Sequence, residues 1–372
     1  MLPYWILFLF FAIGALISLR GRLPARLPAH AHPATGHTIE GAALPSQMGA
    51  LLPFALLLLF LMIGLRFEVG GDWLNYLSIF ERSRIFSLGQ QMARGDWGYT
   101  LLNYGVSQVG GGFWLVNAIV AIPFVWGFYR LARTQPEPWL MMAVAVPYLI
   151  IVVGMGYTRQ AAAIGFLMMG IAAIINGAGI VRFTLYILAA ALFHKTAIVC
   201  LPLMLFVFPQ SRLANVLMVV ALTASLNTLF LSDSFERLSR NYIEAKYNSS
   251  GAAIRIAQLV LSAMIFYIGR KKLGFDAREE PIWRNLSLVS LLMVPVLLLS
   301  PSSTVVDRIS LYLLPLQIVV LARVPLWLRQ AFLGRLLVLV YSGTVLFVWL
   351  NYAVNSFGWL PYQTILTESS GR

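Results

Sequence analysis

The sequence predicts an all-α, polytopic integral membrane protein, and three observations predict it. Hydrophobic residues make up 59% of the 372 residues and charged ones only 11%, with a mean hydropathy of +0.79, too little polar material to coat a water-soluble globule. The apolar residues come in runs of about 20, the length at which a helix spans the hydrocarbon of a bilayer. The basic residues, which give a formal charge of +13, sit between those runs. That placement reads as a topology signal and an affinity for phosphate, so the lipid bilayer is an expected partner and nucleic acid is not. The single cysteine, Cys200, falls in an apolar run and excludes both an intramolecular disulfide and a Cys-based zinc site.

In chain order, spans are expected near 3–19, 46–65, 112–129, 138–153, 160–176, 213–231, 253–269, 285–300, 309–326 and 332–352, all within a single membrane domain covering 1–372. The first has no basic residue before it and Arg20, Arg22 and Arg26 after it, the pattern of a retained span. Residues 20–45, rich in Pro, Ala, His and Gly, read as a flexible cytoplasmic linker. His30, His32 and His37 within it do not make a convincing ligand set, and no metal is expected.

The run 182–208, RFTLYILAAALFHKTAIVCLPLMLFVF, is polar at its middle, where His194 and Lys195 split it. Two crossings gather Arg20, Arg22, Arg26, Arg130, Arg133, Arg182, Arg212, Arg270, Lys271, Lys272, Arg278, Arg284, Arg323, Arg329 and Arg335 on one face, which marks that face as cytoplasmic. A single crossing scatters them. The run is therefore expected as a short broken hairpin, giving about 11–12 membrane-crossing helices in all. Each half is too short to reach the far surface, so His194 should lie at the floor of a cavity on the outer face.

That face should also collect the loop 66–111 with its amphipathic helices, the loop 232–252 and the tail 353–372. In RFEVGGDWLNYLSIFE, residues 66–81, Gly70 and Gly71 allow a turn and Asp72 takes the position of a helix N-cap. Trp73, Tyr76, Leu77 and Phe80 then recur at helical spacing, as in a helix lying along a membrane surface.

Several outer-face groups can carry chemistry. Arg159 opens a helix in YTRQAAAIGFLMMG, backed by Ala161, Ala162, Ala163 and Gly165 for close packing; it is either an interfacial anchor or a planar, permanently charged ligand for phosphate. Arg308 follows Asp307 at the start of another span and either pairs with that neighbour or joins Arg159 at an anion site built on two helix N-termini. His194 is a packed polar residue, a donor to phosphate or a base. Asp72 is a cap or a general base, with Glu68 as its competitor and Arg66 able to pair with either. Asp96, Tyr76, Tyr99, Gln160, Tyr242, Lys246 and Tyr247 add polar and aromatic groups of the kind that hold sugars. No GxxxxGK phosphate loop and no HExxH zinc motif is present.

Five stretches in order, RFEVGGDWLNY at 66–76, DWGYTLLN at 96–103, TRQAAA at 158–163, LFHKTA at 192–197 and DRISLY at 307–312, together resemble the EpsG family of Wzy-like bacterial polysaccharide polymerases. The departures are small: Gly71 where Thr is frequent, Trp73 where Tyr is frequent and Thr196 where Ser is frequent. The resemblance implies a glycosyltransferase of the bacterial inner membrane, active at its periplasmic face. It would join oligosaccharide repeats carried on undecaprenyl pyrophosphate for an exopolysaccharide or capsule, without a cofactor. Arg159, Arg308 and Arg66 would hold the pyrophosphate, Asp72 and His194 would be catalytic, and Glu68, Tyr76, Tyr99, Gln160 and Tyr247 would meet sugar. Its partners would be the lipid-linked donor and acceptor, with a flippase and chain-length or export proteins around it. An O-antigen ligase-like transferase, or a transporter of a lipid-linked or anionic substrate, would share the same cation logic.

Overall fold

A computed structural model describes residues 1–18, 46–93, 95–202, 249 and 251–368. The expected linker 20–45, the span 213–231, most of the loop 232–252 and Tyr247 lie outside the described residues. Within them the architecture is helical, with no strand beyond one isolated bridge between Arg66 and Thr364. The helices are α1 (Leu2–Ile17), α2 (Ser46–Gly64), α3 (Trp73–Ile85), α4 (Leu88–Met92), α5 (Trp97–Gln108), α6 (Phe113–Ala132), α7 (Pro138–Gly154), α8 (Thr158–Ile175), α9 (Ile180–Phe193), α10 (Ala252–Gly269), α11 (Glu279–Leu299), α12 (Ser303–Leu328) and α13 (Ala331–Tyr352). Among the described residues, α6, α8, α10, α11, α12 and α13 are long and apolar enough to cross a membrane, and α1, α2, α7 and α9 are shorter apolar helices. The chain is thus a multi-pass membrane protein, and the span limits expected for the described residues hold to within a few residues.

Two spans form the centre together with α7, every residue of which is buried. In both α8 and α12, 89% of the apolar window is enclosed by the rest of the protein, against 28% in α11, 33% in α13 and 39% in α10, which turn their sides to lipid. The small residues after Arg159 explain how α8 fits there. A Cβ on Gly127 would sit 1.9 Å from the carbonyl oxygen of Gly165, so α6 and α8 cross with their backbones in contact. The second half of α7 widens to π-helical geometry over Val146–Gly154, where Pro147 removes the N–H that would have bonded one turn back.

Ionic contacts tie the two ends of the bundle. At one end Arg323 of α12 pairs with Glu279 of α11 and donates to Gln135 at 3.0 Å and to the Gly274 carbonyl at 2.8 Å. Arg335 of α13 meets both carboxylate oxygens of Glu137 at 2.7 Å. At the other end lie the α2–α3 turn, the starts of α5, α8, α10 and α12, and His194. Ser249 belongs to that second end too, because its backbone N–H donates to Ser303 at 2.8 Å. His194 and Ser249 therefore share an end, as the two-crossing count for 182–208 requires. The break itself is where the sequence puts it: α9 stops at Phe193, His194 is extended, and a 3-10 turn follows over Lys195–Cys200.

Two expectations need correcting. The apolar stripe of α3 packs on protein: Trp73, Tyr76 and Phe80 join Tyr99, Val106, Phe113, Val116 and Ala162 in a small core of their own. Burying those rings between α5, α6 and α8 keeps them from both lipid and water, while Leu74 and Ile85 on the other side stay exposed. Arg308 does not open its helix, since α12 starts at Ser303 and Arg308 falls in the second turn. The dipole of that helix therefore adds little at its position.

Candidate functional site

The site is built on two aspartates that precede helices and cap neither. Asp72 stands at the N-cap of α3 and Asp96 at the N-cap of α5, yet neither side chain bonds a backbone N–H of its own helix. Each instead reaches an arginine on one of the two central spans. Arg308 Nη2 lies 3.1 Å from Asp72 Oδ2, and Arg159 Nη1 lies 2.7 Å from Asp96 Oδ2. The helix termini give up a cap worth about 1 kcal/mol each in exchange for charge-assisted bonds.

Aromatic faces complete both pairs. The Arg308 guanidinium stacks 3.8 Å above the ring of Tyr157, and Arg159 lies 5.6 Å from the centre of Tyr76 and 6.0 Å from that of Tyr99. Both rings below Arg159 are buried and meet edge to face at 5.8 Å. Gln160, also buried, donates to the backbone carbonyl of Arg308 at 2.6 Å, so the residue next to Arg159 holds the strand of chain that carries Arg308.

Asp96, which the sequence placed only among the polar groups suited to sugars, is the hub. Besides Arg159 it accepts the backbone N–H of Lys195 at 3.2 Å and faces Nδ1 of His194 at 3.8 Å. Burial alone would raise its pKa, but His194 and the Arg159 charge outweigh that and hold it below the usual carboxylate value. The imidazole turns its Nδ1 edge toward Asp96, which leaves Nε2 on the opposite edge of the ring for a substrate. The only signal for this role in the sequence is that DWGY repeats the Asp-Trp step of GGDW, one helix later.

The remaining candidates fall elsewhere. Arg66 is buried at 2% exposure and donates to the Ile63 carbonyl, to Asn117 Oδ1 at 3.0 Å and to Thr158 Oγ1 at 2.8 Å. It thereby ties the end of α2 to the first residue of α8, directly before Arg159. Glu68 is exposed and has a positive φ of 51° in the turn that also contains Gly70 at 116°. Asp307 does not pair with Arg308: adjacent residues on a helix point apart, and Asp307 pairs with Arg255 of α10 and accepts from Ser249 at 3.1 Å.

The exposures separate these pairs. The side chains of Arg159, Arg308, Asp72 and His194 are 27%, 29%, 33% and 21% exposed, enough to meet a ligand while remaining largely shielded from water. Chemically the arrangement offers two forked cations about an imidazole and a carboxylate, which suits a diphosphate next to a hydroxyl that must lose a proton.

Residues 49–364 match the model of the EpsG family. The chain belongs to the EpsG family. The matched stretch takes in every described candidate, from Arg66 through Asp72, Asp96, Arg159 and His194 to Arg308. No curated protein and no solved structure matches the chain. Membership of the EpsG family suggests a polysaccharide-polymerase type of function, and lipid-linked sugars as the class of substrate.

Proposed function

We propose that the protein is a glycosyltransferase that polymerises undecaprenyl-pyrophosphate-linked oligosaccharide repeats at the periplasmic face of the bacterial inner membrane, for an exopolysaccharide or capsule. The observation that carries this reading is that Arg159 and Arg308, on two enclosed spans joined by the Gln160–Arg308 hydrogen bond, each pair with an aspartate, with His194 beside one of them. The positive-inside count supports this orientation, since the described basic clusters, Arg130 and Arg133, Arg270 to Lys272, and Arg323 to Arg335, lie at the opposite end of the bundle.

In this reading the donor pyrophosphate binds Arg159 and Arg308, and His194, as the imidazolium, donates from Nε2 to one of its oxygens. Pyrophosphate oxygens on Arg308 compete with Asp72 for the same guanidinium. Binding of the donor therefore releases the Asp72 carboxylate beside the reacting carbon. Asp72 takes the proton of the acceptor hydroxyl as its oxygen bonds to the anomeric carbon. The bond from that carbon to the pyrophosphate oxygen breaks, and its electron pair leaves on the diphosphate, stabilised by the two arginines. A single displacement of this kind inverts the anomeric carbon. Tyr76, Tyr99 and Gln160 support the arginines, Arg66 fixes the start of α8, and Glu68, exposed at the turn, is the sugar candidate left among the described residues. Among the described residues the core beneath the site is mainly apolar, which supports transfer over transport.

The test is polymerisation by purified protein given its lipid-linked repeat, with products sized on a gel. Polymer from the wild type and none from Arg159→Ala or Arg308→Ala is the expected result. Wild-type turnover in those variants would overturn the phosphate assignment, and a substrate flux into liposomes without new glycosidic bonds would overturn the reaction.

A further inference from the structure

The segment after α13 is built into the site end of the bundle. Its backbone pairs with the α2–α3 turn along several residues: Phe67 N–H donates to Gln363 at 2.9 Å, Gly70 N–H to Gly358 at 2.7 Å, and Ile365 N–H to Leu65 at 3.0 Å. At its centre Trp359, 2% exposed, is held on three sides. Its indole N–H donates to the Ile151 carbonyl in the π-helical part of α7 at 2.9 Å, its carbonyl accepts Tyr4 Oη at 2.7 Å, and Trp349 meets it edge to face at 5.1 Å.

What the indole touches gives it a task. A Cβ on Gly156 would lie 2.2 Å from Trp359 Cζ2, and one on Gly71 3.3 Å from its Cη2. The six-membered ring is thus a wedge between two glycines. Gly71 precedes Asp72. Gly156 precedes Tyr157, on which Arg308 stacks, and lies three residues before Arg159. Gly70, at φ 116°, comes so close to Met155 that a Cβ there would sit 2.6 Å from its carbonyl oxygen, so the same two turns also touch directly. A rigid aromatic plate between two turns sets the distance between them; a side chain at Gly156 would collide with it and one at Gly71 would crowd it.

We propose that Trp359 is a positioning residue for the transfer reaction. It sets the separation between the turn that carries Asp72 and the turn that carries Tyr157 and Arg159, and hence the reach of the carboxylate to the acceptor hydroxyl. This rests on the functional reading above. The wedge touches no substrate, so its loss acts on the reacting geometry and spares the affinity for the lipid-linked substrate. A misplacement of about 1 Å in such a site costs on the order of a hundredfold in rate.

The experiment is a four-protein cycle of wild type, Gly156→Ala, Trp359→Phe and the double variant, each purified in detergent and checked for a monodisperse peak. Steady-state polymerisation and the affinity for geranylgeranyl pyrophosphate are measured on each. The smaller ring of Trp359→Phe makes room for the methyl group of Gly156→Ala. The expected result is a fall in kcat of about a hundredfold in Gly156→Ala with KM and affinity within about twofold of wild type, and recovery of at least tenfold of that loss in the double variant. A double variant no faster than Gly156→Ala overturns the wedge. So does a loss that appears in KM and affinity rather than in kcat. A wild type that neither polymerises nor binds the pyrophosphate overturns the functional reading instead. If Gly156→Ala does not fold, Gly71→Ala, with its milder contact, takes its place in the same cycle.

Discussion

The two ends of the bundle use the same chemical pairing for opposite purposes. At the end with Arg323 and Arg335, the arginine and glutamate side chains are 3–9% exposed, and Arg323 is further tied to Gln135 and to backbone carbonyls. At the other end Arg159 and Arg308 keep a quarter or more of their side chains open and rest on tyrosine faces. Closed pairs lock helices together. Open ones can exchange a carboxylate for a ligand. Exposure, not the presence of an ion pair, separates a structural contact from a candidate site in a membrane bundle, where any polar group is expensive.

The comparison breaks most visibly at the arginines of the open end. Arg308→Ala and Arg159→Ala should each lower kcat for polymerisation by about 10²–10³-fold, the range for removing one preorganised charge donor. The thermal melting of Arg308→Ala in detergent should stay close to wild type, because its partner Asp72 is a third exposed, whereas Arg159→Ala strands the buried Asp96 and should melt lower. At the closed end Arg323→Met should act on stability. It leaves Glu279 buried without its partner and should cost about 3–5 kcal/mol of stability, read as a lower melting temperature, while Arg323→Met with Glu279→Leu recovers most of it. Asp72→Asn should reduce kcat by about 10² and leave pyrophosphate affinity unchanged or tighter, since the amide competes less well for Arg308. An equal loss of affinity would make Asp72 a structural residue.

The smallest effect is expected from pH. The folded-state pKa of Asp96 is lowered, so its stabilising pair with Arg159 is complete above the ordinary carboxylate value of about 4 and is lost only as pH falls through the lower folded value. The difference in melting temperature between wild type and Asp96→Asn should therefore not shrink from pH 8 to pH 5, and charging of His194 beside Asp96 as pH falls would widen it. A difference that shrinks within that window would show that the pair is not ionised as described.

Much of the fold was legible because it is local. Apolar runs of about 20 residues, Lys and Arg between them and a polar pair splitting 182–208 need no partner elsewhere in the chain, and they located the described spans and the break at His194. The site was legible only as a set of residue types on one face. Which carboxylate meets which arginine is decided by contacts across 63 and 236 residues, and no spacing encodes those. Local logic suggested Asp307 for Arg308 and a capping role for Asp72. The helix geometry turns Asp307 toward Arg255, and the tertiary pair takes Asp72 from the cap. Burial was the other hidden variable: Arg66 stands beside Glu68 in the sequence, yet Arg66 is enclosed and Glu68 exposed, because the segment 358–365 folds back over that turn.

The most direct test of the account is the affinity of the purified protein for undecaprenyl pyrophosphate, measured by titration in nanodiscs for three proteins. Wild type and the closed-end double variant, Arg323→Met with Glu279→Leu, should bind alike, and Arg159→Ala with Arg308→Ala should lose at least a hundredfold in affinity. Equal binding by all three would contradict the assignment of the open end as the pyrophosphate site.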